Sequence, residues 1–282
     1  MARIGFITTA ELLEMPESDL VTKVELEKLG HKVVSIGWDT ADSTDETDVL
    51  VLRSCWNYHL RPQEFLDWLK SQSKPLQNSA ATLLWNFDKR YLLEIKSSVP
   101  IVPTELVLDP TAAGIKAVCV SRGWAEAIVK PSVGSTAYMS RRLLTDLDFE
   151  SLGEQQLPPV ALVQPYLRQI QTAGEFSVIF FEGKYSHAVV KVPVAGDYRV
   201  QEEFGGSTRR IEPPPNVGRI AQAAVDFIPD RPLYARVDVV DGTDGPMVME
   251  LELIEPELYI YKAPEAAATF AAAIDRVVST GL

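Results

Sequence analysis

Hydrophobic runs and helical repeats alternate along the first third of the chain. Apolar residues at every third or fourth position between residues 19 and 29 predict an amphipathic helix, with Gly30 as its natural end. The predicted order is a strand at 2–8, this helix, strands at 31–37 and 48–53, a helix at 62–69 and a short strand at 74–78. Strands that alternate with helices indicate a parallel sheet, which binds ligands beyond the carboxyl ends of its strands.

The pattern of apolar positions changes after residue 85. Two hairpins follow one another, with turns at Glu182-Gly183-Lys184 and at residues 241–245. The predicted elements are a helix at 86–98, strands at 126–130 and 160–166, hairpins at 174–194 and 233–254, and a loop at Pro213-Pro214-Pro215. We therefore expect an α/β plus α+β fold. A small parallel α/β domain takes residues 1–85, and a larger α+β domain takes 86–282, divided into 86–165 and 166–282.

Composition narrows the classes of function. The 282 residues carry a net charge of -12, which argues against nucleic acid as a partner because a phosphate backbone needs a basic face. Neither a membrane-crossing run nor a secretory pattern is present, so we expect a cytoplasmic protein that does not bind membranes. Cys55 and Cys119 fit a reducing compartment, and a nucleophilic role for Cys55 stays open. The three histidines lack the spacing of a zinc site.

The last predicted hairpin places acidic residues on one face. Arg236 and Asp238 lie two positions apart on one strand, and Glu250 and Glu252 do so on the next. Three carboxylates on a buried face need a cation to neutralise them, and Mg²⁺ takes carboxylate and phosphate oxygens together. The hairpin therefore predicts a nucleotide site with magnesium. The alternative is an exposed polar face with ordinary ion pairs.

Other segments place cations beside loops of small residues. Backbone amides in such loops can cradle phosphate oxygens, although solvated lysines and plain connecting loops explain each segment equally well. The segments are Lys89 near the start of the helix at 86–98, Lys130 with the loop at 131–136, and Lys191 with Arg199 before Gly205 and Gly206.

Taken together and in this order, these motifs resemble those of the ATP-grasp superfamily, in the branch of glutathione synthetase and the ribosomal-protein glutamate ligase. The resemblance covers residues 86 to the C-terminus, and residues 1–85 look like the superfamily's N-terminal partner domain. It implies a ligase that uses ATP, with two Mg²⁺ ions, to activate a carboxyl group as an acyl phosphate and join it to an amine, releasing ADP and phosphate.

The resemblance also implies roles for particular residues. Lys89 and Lys130 correspond to lysines that hold the phosphates of ATP, with Ser135 and Thr136 in the loop beside them. The hinge that contacts adenine is Gln164, Pro165, Tyr166 and Leu167, and Glu175 matches a recurring acidic position. Lys191, Arg199 and Arg236 correspond to cations that face the transferred phosphate, and Asp238, Glu250 and Glu252 to the metal ligands. Gly205 and Gly206 match a glycine pair near the substrate.

The sequence differs from the common pattern of the superfamily at several positions. Lys191 stands where arginine is usual, Gln201 and Glu252 where asparagine is usual, and an extra residue precedes Pro256, with no glycine after it. These variants, with the segments 53–58, 85–90 and 200–206, look closest to the D-cycloserine synthetase family, which closes a ring by intramolecular amide formation and serves antibiotic biosynthesis. An intermolecular amino-acid or peptide ligase, a silent ATP-binding protein and a phosphotransferase stay open as alternatives.

The N-terminal domain is expected to bind the substrate. Arg53 ends a predicted strand at the edge where parallel sheets place ligands, and Asn57 follows it. A guanidinium there would pair with a carboxylate through two hydrogen bonds. The alternative is a structural ion pair. The expected partner is a small amino-acid-like substrate, and a homo-oligomer is compatible with the sequence.

Overall fold

Parallel strands organise the first 80 residues. The computed structural model describes residues 1–154 and 157–280, so the last two residues of the predicted second domain lie outside it. The first sheet has the order β2-β1-β3-β4, and Ile4 pairs with both Val33 and Val49 in parallel register. Its strands are β1 (Arg3–Thr8), β2 (Lys32–Gly37), β3 (Val49–Leu52) and β4 (Leu76–Gln77). The predicted parallel α/β unit is confirmed.

Helices cover this sheet and link it to the rest of the protein. They are α1 (Glu17–Lys28), α2 (Pro62–Ser71) and α3 (Ala80–Asn86). Gly30 follows α1 with a φ of 88°, the left-handed conformation that lets the backbone turn into β2. Phe6 of β1 belongs to a buried cluster that also contains Phe270, near the C-terminus, so the two ends of the protein share a core.

Two antiparallel sheets form the remainder of the fold. The four-stranded sheet has the order β5-β8-β6-β7, and the five-stranded sheet the order β11-β10-β9-β12-β13. The strands of the first are β5 (Glu105–Leu108), β6 (Ala127–Pro131), β7 (Arg141–Leu143) and β8 (Val160–Pro165). Those of the second are β9 (Glu175–Phe181), β10 (Lys184–Val192), β11 (Ser207–Ile211), β12 (Tyr234–Gly242) and β13 (Gly245–Glu252). The expected combination of α/β with α+β is confirmed.

Helices pack on both antiparallel sheets. They are α4 (Tyr91–Ile95), α5 (Ala112–Arg122), α6 (Asp146–Gly153), α7 (Pro215–Asp226) and α8 (Glu265–Thr280). Ile115 of α5 and Leu152 of α6 bury their side chains against the four-stranded sheet, and Val217 of α7 packs on the five-stranded one. Among the described residues, no helix combines the length and the apolar content that a bilayer crossing needs.

A bulge interrupts the pairing of β12 with β13. Asp238 lies opposite Glu250, but the next residue, Val239, lies opposite Val248, so Met249 is the extra residue. Val248 is fully buried in the core, whereas Met249 and Glu250 are both half-buried. A strand normally alternates its side chains between two faces, and the bulge lets two consecutive residues share one.

Several predictions for local structure need correction. The helix expected at 86–98 is broken: α3 ends at Asn86 and α4 begins at Tyr91. The reason is tertiary, because the Asn86 carboxamide donates to the Leu251 carbonyl at 2.8 Å and accepts from the Leu253 amide at 2.9 Å. Pro215 is not in a loop but is the first residue of α7, where its fixed φ suits a helix. The domain boundary at residue 85 lies inside α3 and stays a prediction.

Candidate active site

A cavity lies between the two antiparallel sheets, and most of the predicted site residues line it. Strands β6 and β8 contribute one wall, and β9, β10, β12 and β13 contribute the other. The predicted residues in its lining are Lys89, Lys130, Ser135, Thr136, Gln164, Pro165, Tyr166, Leu167, Glu175, Lys191, Arg199, Arg236, Asp238, Glu250 and Glu252. Positions up to 163 residues apart in the sequence therefore meet around one space.

Glu250 bridges two lysines at the centre of this cavity. Its carboxylate lies 2.8 Å from the Lys89 ammonium and 3.6 Å from that of Lys130. Burial disfavours its charge, but the two ammonium groups outweigh burial and hold the pKa of Glu250 below its ordinary value. Lys89 is further fixed by donating to the Gly134 carbonyl at 2.5 Å. The two lysines thus share a single carboxylate, and Lys89 also binds the loop after β6.

A second network surrounds Asp238 on β12. The carboxylate accepts from Arg236 at 3.0 Å and from Lys191 at 3.4 Å, and the Ser177 hydroxyl donates to it. These partners overcome burial and hold the pKa of Asp238 well below its usual range. Lys191 also pairs with Glu175 across the sheet. The alternative of an exposed polar face is wrong, because Asp238 is only 3% exposed.

Glu252 shares Arg236 with Asp238 and is the least satisfied of the predicted metal ligands. Arg236 donates to it, and register places the two residues opposite each other on β12 and β13. Burial, with repulsion from Glu250 and Asp238, raises the pKa of Glu252 to about 8 although Arg236 opposes the shift. This part of the cavity therefore holds more carboxylate charge than its arginine neutralises.

The donor set fits magnesium in chemistry but is not gathered around one point. Among the described residues, no group of three Asp, Glu, His or Cys side chains is placed to hold one ion. The physical reason is visible in the ion pairs, since Glu250 lies against lysines while Asp238 and Glu252 lie against Arg236. Carboxylate oxygens are nevertheless the ligands that Mg²⁺ prefers. The metal assignment of these residues stays a prediction.

The predicted hinge segment forms another part of the cavity lining. It runs from Gln164 to Leu167, and Gln164 is fixed by donating to Thr104 at 2.9 Å. The Arg142 guanidinium stacks over the Tyr166 ring at 4.1 Å. The Glu126 carboxylate forms an ion pair with Arg142. The Glu126 main-chain carbonyl accepts a hydrogen bond from the Tyr166 amide at 3.0 Å. An aromatic side chain in the cavity wall offers a contact for a planar ring such as a purine.

Arg53 and Asn57 do not line the cavity, which corrects their assignment to substrate binding. Arg53 is 3% exposed, and its guanidinium donates to Asp19 at 2.7 Å and to the Pro256 carbonyl at 3.3 Å. The Asn57 carboxamide accepts from the Trp38 indole at 2.7 Å and donates to Asp39 at 2.8 Å. The structural ion pair is the better interpretation of Arg53, because its charge is already used inside the protein.

The paired glycines also lie outside the cavity lining, whereas Arg199 lies within it. Gly205 turns the backbone with a φ of 84°, and a Cβ on Gly206 would lie 2.2 Å from the Val200 carbonyl. Glycine is therefore required here by the path of the backbone into β11. Arg199 pairs with Asp197 at 2.7 Å and stacks over the Phe204 ring at 3.9 Å.

Cys55 is inert in this structure. Its thiol is fully buried, donates to the Ile7 carbonyl at 3.3 Å, and has a pKa raised well above the ordinary value, chiefly by burial. A nucleophilic cysteine needs a lowered pKa and access to substrate. Cys55 is also absent from the cavity lining.

Several residues of the cavity were not predicted from the sequence. Tyr58, Asn86 and Tyr91 line it, and the Tyr91 hydroxyl accepts from the Leu251 amide at 2.9 Å. Glu255 lines it as well, although it lies three residues beyond the end of β13. The three acidic residues at 250, 252 and 255 were a usable signal, because the extra residue before Pro256 lies among them.

Known proteins with this architecture clarify its class. The family profile of the D-cycloserine synthetase DcsG N-terminal domain matches residues 4–84. The cycloserine biosynthesis protein DcsG of Streptomyces lavendulae is 30% identical over 277 residues, 86% of this chain and 89% of that protein. A crystal structure of D-cycloserine synthetase DcsG matches with a TM-score of 0.87 and 26% identity, over 98% of this chain and 99% of that one. A RimK domain ATP-grasp protein from Sphaerobacter thermophilus shares the fold with a TM-score of 0.71 and 15% identity, over 97% of this chain and 99% of that one.

The three sheets, with a cavity of paired cations and carboxylates between the antiparallel two, are those of an ATP-grasp ligase. Within that class, the protein belongs to the D-cycloserine synthetase family, because it aligns with DcsG over 86% of its length at 30% identity. The resemblance expected from the sequence motifs is thereby confirmed.

Proposed function

We propose that the protein uses ATP to activate the carboxyl group of an amino-acid-like substrate and closes it onto a nitrogen of the same molecule. The product would be a cyclic amide of the D-cycloserine type, formed with ADP and phosphate. Family membership supports this reaction. Because the reaction would consume ATP, we place the protein in the cytoplasm. A small amino-acid-like molecule is the proposed partner.

One observation carries the proposal: cations and carboxylates are interleaved in the cavity and form shared ion pairs. Lys89 and Lys130 share Glu250, and Arg236 shares Asp238 and Glu252. Phosphates of ATP would take the cations, and magnesium would take the carboxylates released from them. The phosphates and the magnesium ions would then each be neutralised, and no buried charge of the protein would be left unpaired.

Each part of the cavity has a proposed role. The hinge from Gln164 to Leu167 would hold adenine, and Lys89 and Lys130, with Ser135 and Thr136, would hold the phosphates. Asp238, Glu250 and Glu252 would hold two Mg²⁺ ions, which neutralise phosphate charge when bound. Lys191, Arg199 and Arg236 line the same cavity and would stabilise the transferred phosphate, with Glu175 keeping Lys191 in place.

The reaction balances in two steps. A substrate carboxylate oxygen attacks the γ-phosphorus, and the bond to the β-phosphate oxygen breaks to release ADP. The substrate nitrogen then attacks the acyl carbon, phosphate leaves and the nitrogen loses a proton. Arg236, held by two carboxylates, is proposed to stabilise the oxyanion on the acyl carbon. Phosphate replaces oxide as the leaving group, so no protein nucleophile is needed.

The test is a turnover assay with ATP, magnesium and acyclic derivatives of D-serine whose hydroxyl oxygen carries nitrogen, either free or in a ureido group. Nucleotide chromatography and mass analysis should show ADP, phosphate and the cyclic amide. Formation of AMP would contradict acyl phosphate chemistry. A linear dipeptide would indicate an intermolecular ligase, and ADP without an amide would indicate a phosphotransferase.

A further inference from the structure

Glu255 occupies a distinctive position in the cavity wall. It lies beyond the end of β13, is 6% exposed and faces the cavity. Ser135, in the loop after β6, also lines the cavity, and its hydroxyl opposes the rise in the pKa of Glu255 that burial causes. The Trp56 indole donates to the Glu255 main-chain carbonyl at 3.0 Å. The backbone of Glu255 is thus fixed by the segment after β3.

The other carboxylates of the cavity wall all have cationic partners. Glu250 has Lys89 and Lys130, Asp238 and Glu252 have Arg236, and Glu175 has Lys191. In the part of the protein that the structure describes, Glu255 takes part in no ion pair within 4.0 Å, although Lys89 attracts it at longer range.

A buried carboxylate in this situation is costly to ionise. Burial is the main cause that raises the pKa of Glu255 to about 7. A cation that entered the cavity would remove this cost and gain a charge-assisted hydrogen bond. Because the group faces the cavity, the missing partner is expected on a bound ligand.

We propose that Glu255 binds the ammonium group of the amino-acid-like substrate, with Trp56 as a positioning residue that fixes its backbone. This inference rests on the proposed function, which supplies an α-amino acid to the cavity. An ammonium group next to the reacting carboxyl distinguishes amino acids from plain carboxylic acids. Glu255 therefore determines specificity and orients the substrate, and takes no part in the bond changes.

The location favours an organic cation over a third metal ion. Magnesium takes several oxygen ligands, whereas a carboxylate and a hydroxyl, Glu255 with Ser135, suit one ammonium group. The segment after β3 also gains a role that its sequence suggested. Trp56 binds the Glu255 carbonyl and Tyr58 lines the cavity, so this segment contributes to the site through these two residues and not through Arg53.

The test compares two probes, D-cycloserine and isoxazolidin-3-one, which is the same ring without the amino group. Binding of each to the unmodified protein and to Glu255→Gln is measured by calorimetry with saturating ADP and Mg²⁺ at neutral pH. Glu255→Gln should weaken D-cycloserine binding by about tenfold or more, the worth of a hydrogen bond between charged groups. The affinity for isoxazolidin-3-one and for ADP should stay within about twofold, because neither needs this carboxylate.

Glu257→Gln is the matched control, because Glu257 is a nearby carboxylate that binds Ser18 at 2.6 Å and lies outside the cavity lining. It should leave both probes unaffected. Equal weakening of both probes by Glu255→Gln, or a changed magnesium requirement, would overturn the ammonium assignment. If the unmodified protein binds ADP but not D-cycloserine, the proposed ring closure fails, and this inference fails with it.

Discussion

Two buried arginine–aspartate pairs serve different purposes in the two halves of the molecule. Arg53 and Asp19 belong to the region of the parallel sheet, 2.7 Å apart, while Arg236 and Asp238 lie 3.0 Å apart on the five-stranded sheet. The first pair is enclosed by protein, with the guanidinium over the Tyr234 ring at 5.4 Å. The second faces the cavity, and each of its members has another charged partner.

The difference shows how a protein can keep a buried charged side chain available to a ligand. Asp19 is the carboxylate that pairs with Arg53, so separating the two leaves a buried charge without compensation. Arg236 keeps Glu252 and Lys191 keeps Glu175 when Asp238 changes partner. In a network with shared partners, an ion pair can be replaced by another at low cost. An isolated pair has no second partner, so it only stabilises the fold.

The largest expected effect is on stability, from Asp19→Asn. The variant leaves the Arg53 cation buried without its partner, and the free energy of unfolding should fall by about 3–5 kcal/mol. Urea unfolding measures the loss. The kcat and the KM for ATP of the folded fraction should stay within about twofold. A loss of turnover at unchanged stability would show that the pair acts in the reaction.

Asp238→Asn, the same substitution in the cavity pair, should have the opposite outcome. We expect kcat to fall by about a hundredfold or more, which corresponds to about 2.7 kcal/mol. The stability should change less than in Asp19→Asn, because both cations keep a second carboxylate. Steady-state kinetics and urea unfolding of the two variants side by side give the comparison. Near-normal turnover at saturating magnesium would remove Asp238 from the proposed metal ligands.

A smaller effect is expected at the hinge. Arg142→Ala removes the guanidinium that stacks over Tyr166, so the KM for ATP should rise about twofold to fivefold with kcat nearly unchanged. Steady-state kinetics with ATP as the varied substrate measures this. Arg122→Ala is the control, since Arg122 is an exposed arginine that pairs with Glu105. If both variants behave alike, the stacked ring is not part of the nucleotide site.

The smallest effect concerns pH. Burial lowers the pKa of His187, whose Nε2 lies 2.8 Å from the Leu258 carbonyl, so the unfolded protein takes up a proton first as the pH falls below about 6.5. Stability is therefore present above this pH and is lost towards the lower pKa of the folded state. The free energy of unfolding should decline less between pH 7 and 5 in His187→Gln than in the unmodified protein. Equal slopes would assign the pH dependence to other groups.

The sequence was most informative where spacing alone sets geometry. The two-residue period of a strand placed Arg236 with Asp238 and Glu250 with Glu252, and the tight turn made the strands neighbours, as the register confirms. It was least informative where the partner is distant. Nothing local to Arg53 indicates Asp19, 34 residues away, as its partner. The break in the helix at 86–98 likewise depends on bonds from Asn86 to a strand about 165 residues further along the sequence.

The bulge at Met249 lets β13 keep the register of its carboxylates with one residue more than regular pairing needs. Because of that extra residue, Met249 and the central carboxylate Glu250 are neighbours in sequence and both line the cavity. Deleting Met249 would restore regular alternation, with Val248 and Leu251 in the core and Glu250 and Glu252 on the cavity face. Deleting Leu251 instead would turn Glu252 towards the core. Relatives that keep this chemistry can therefore lack a residue at Met249, whereas an alignment gap at residues 250–252 would mark a protein that has lost the site.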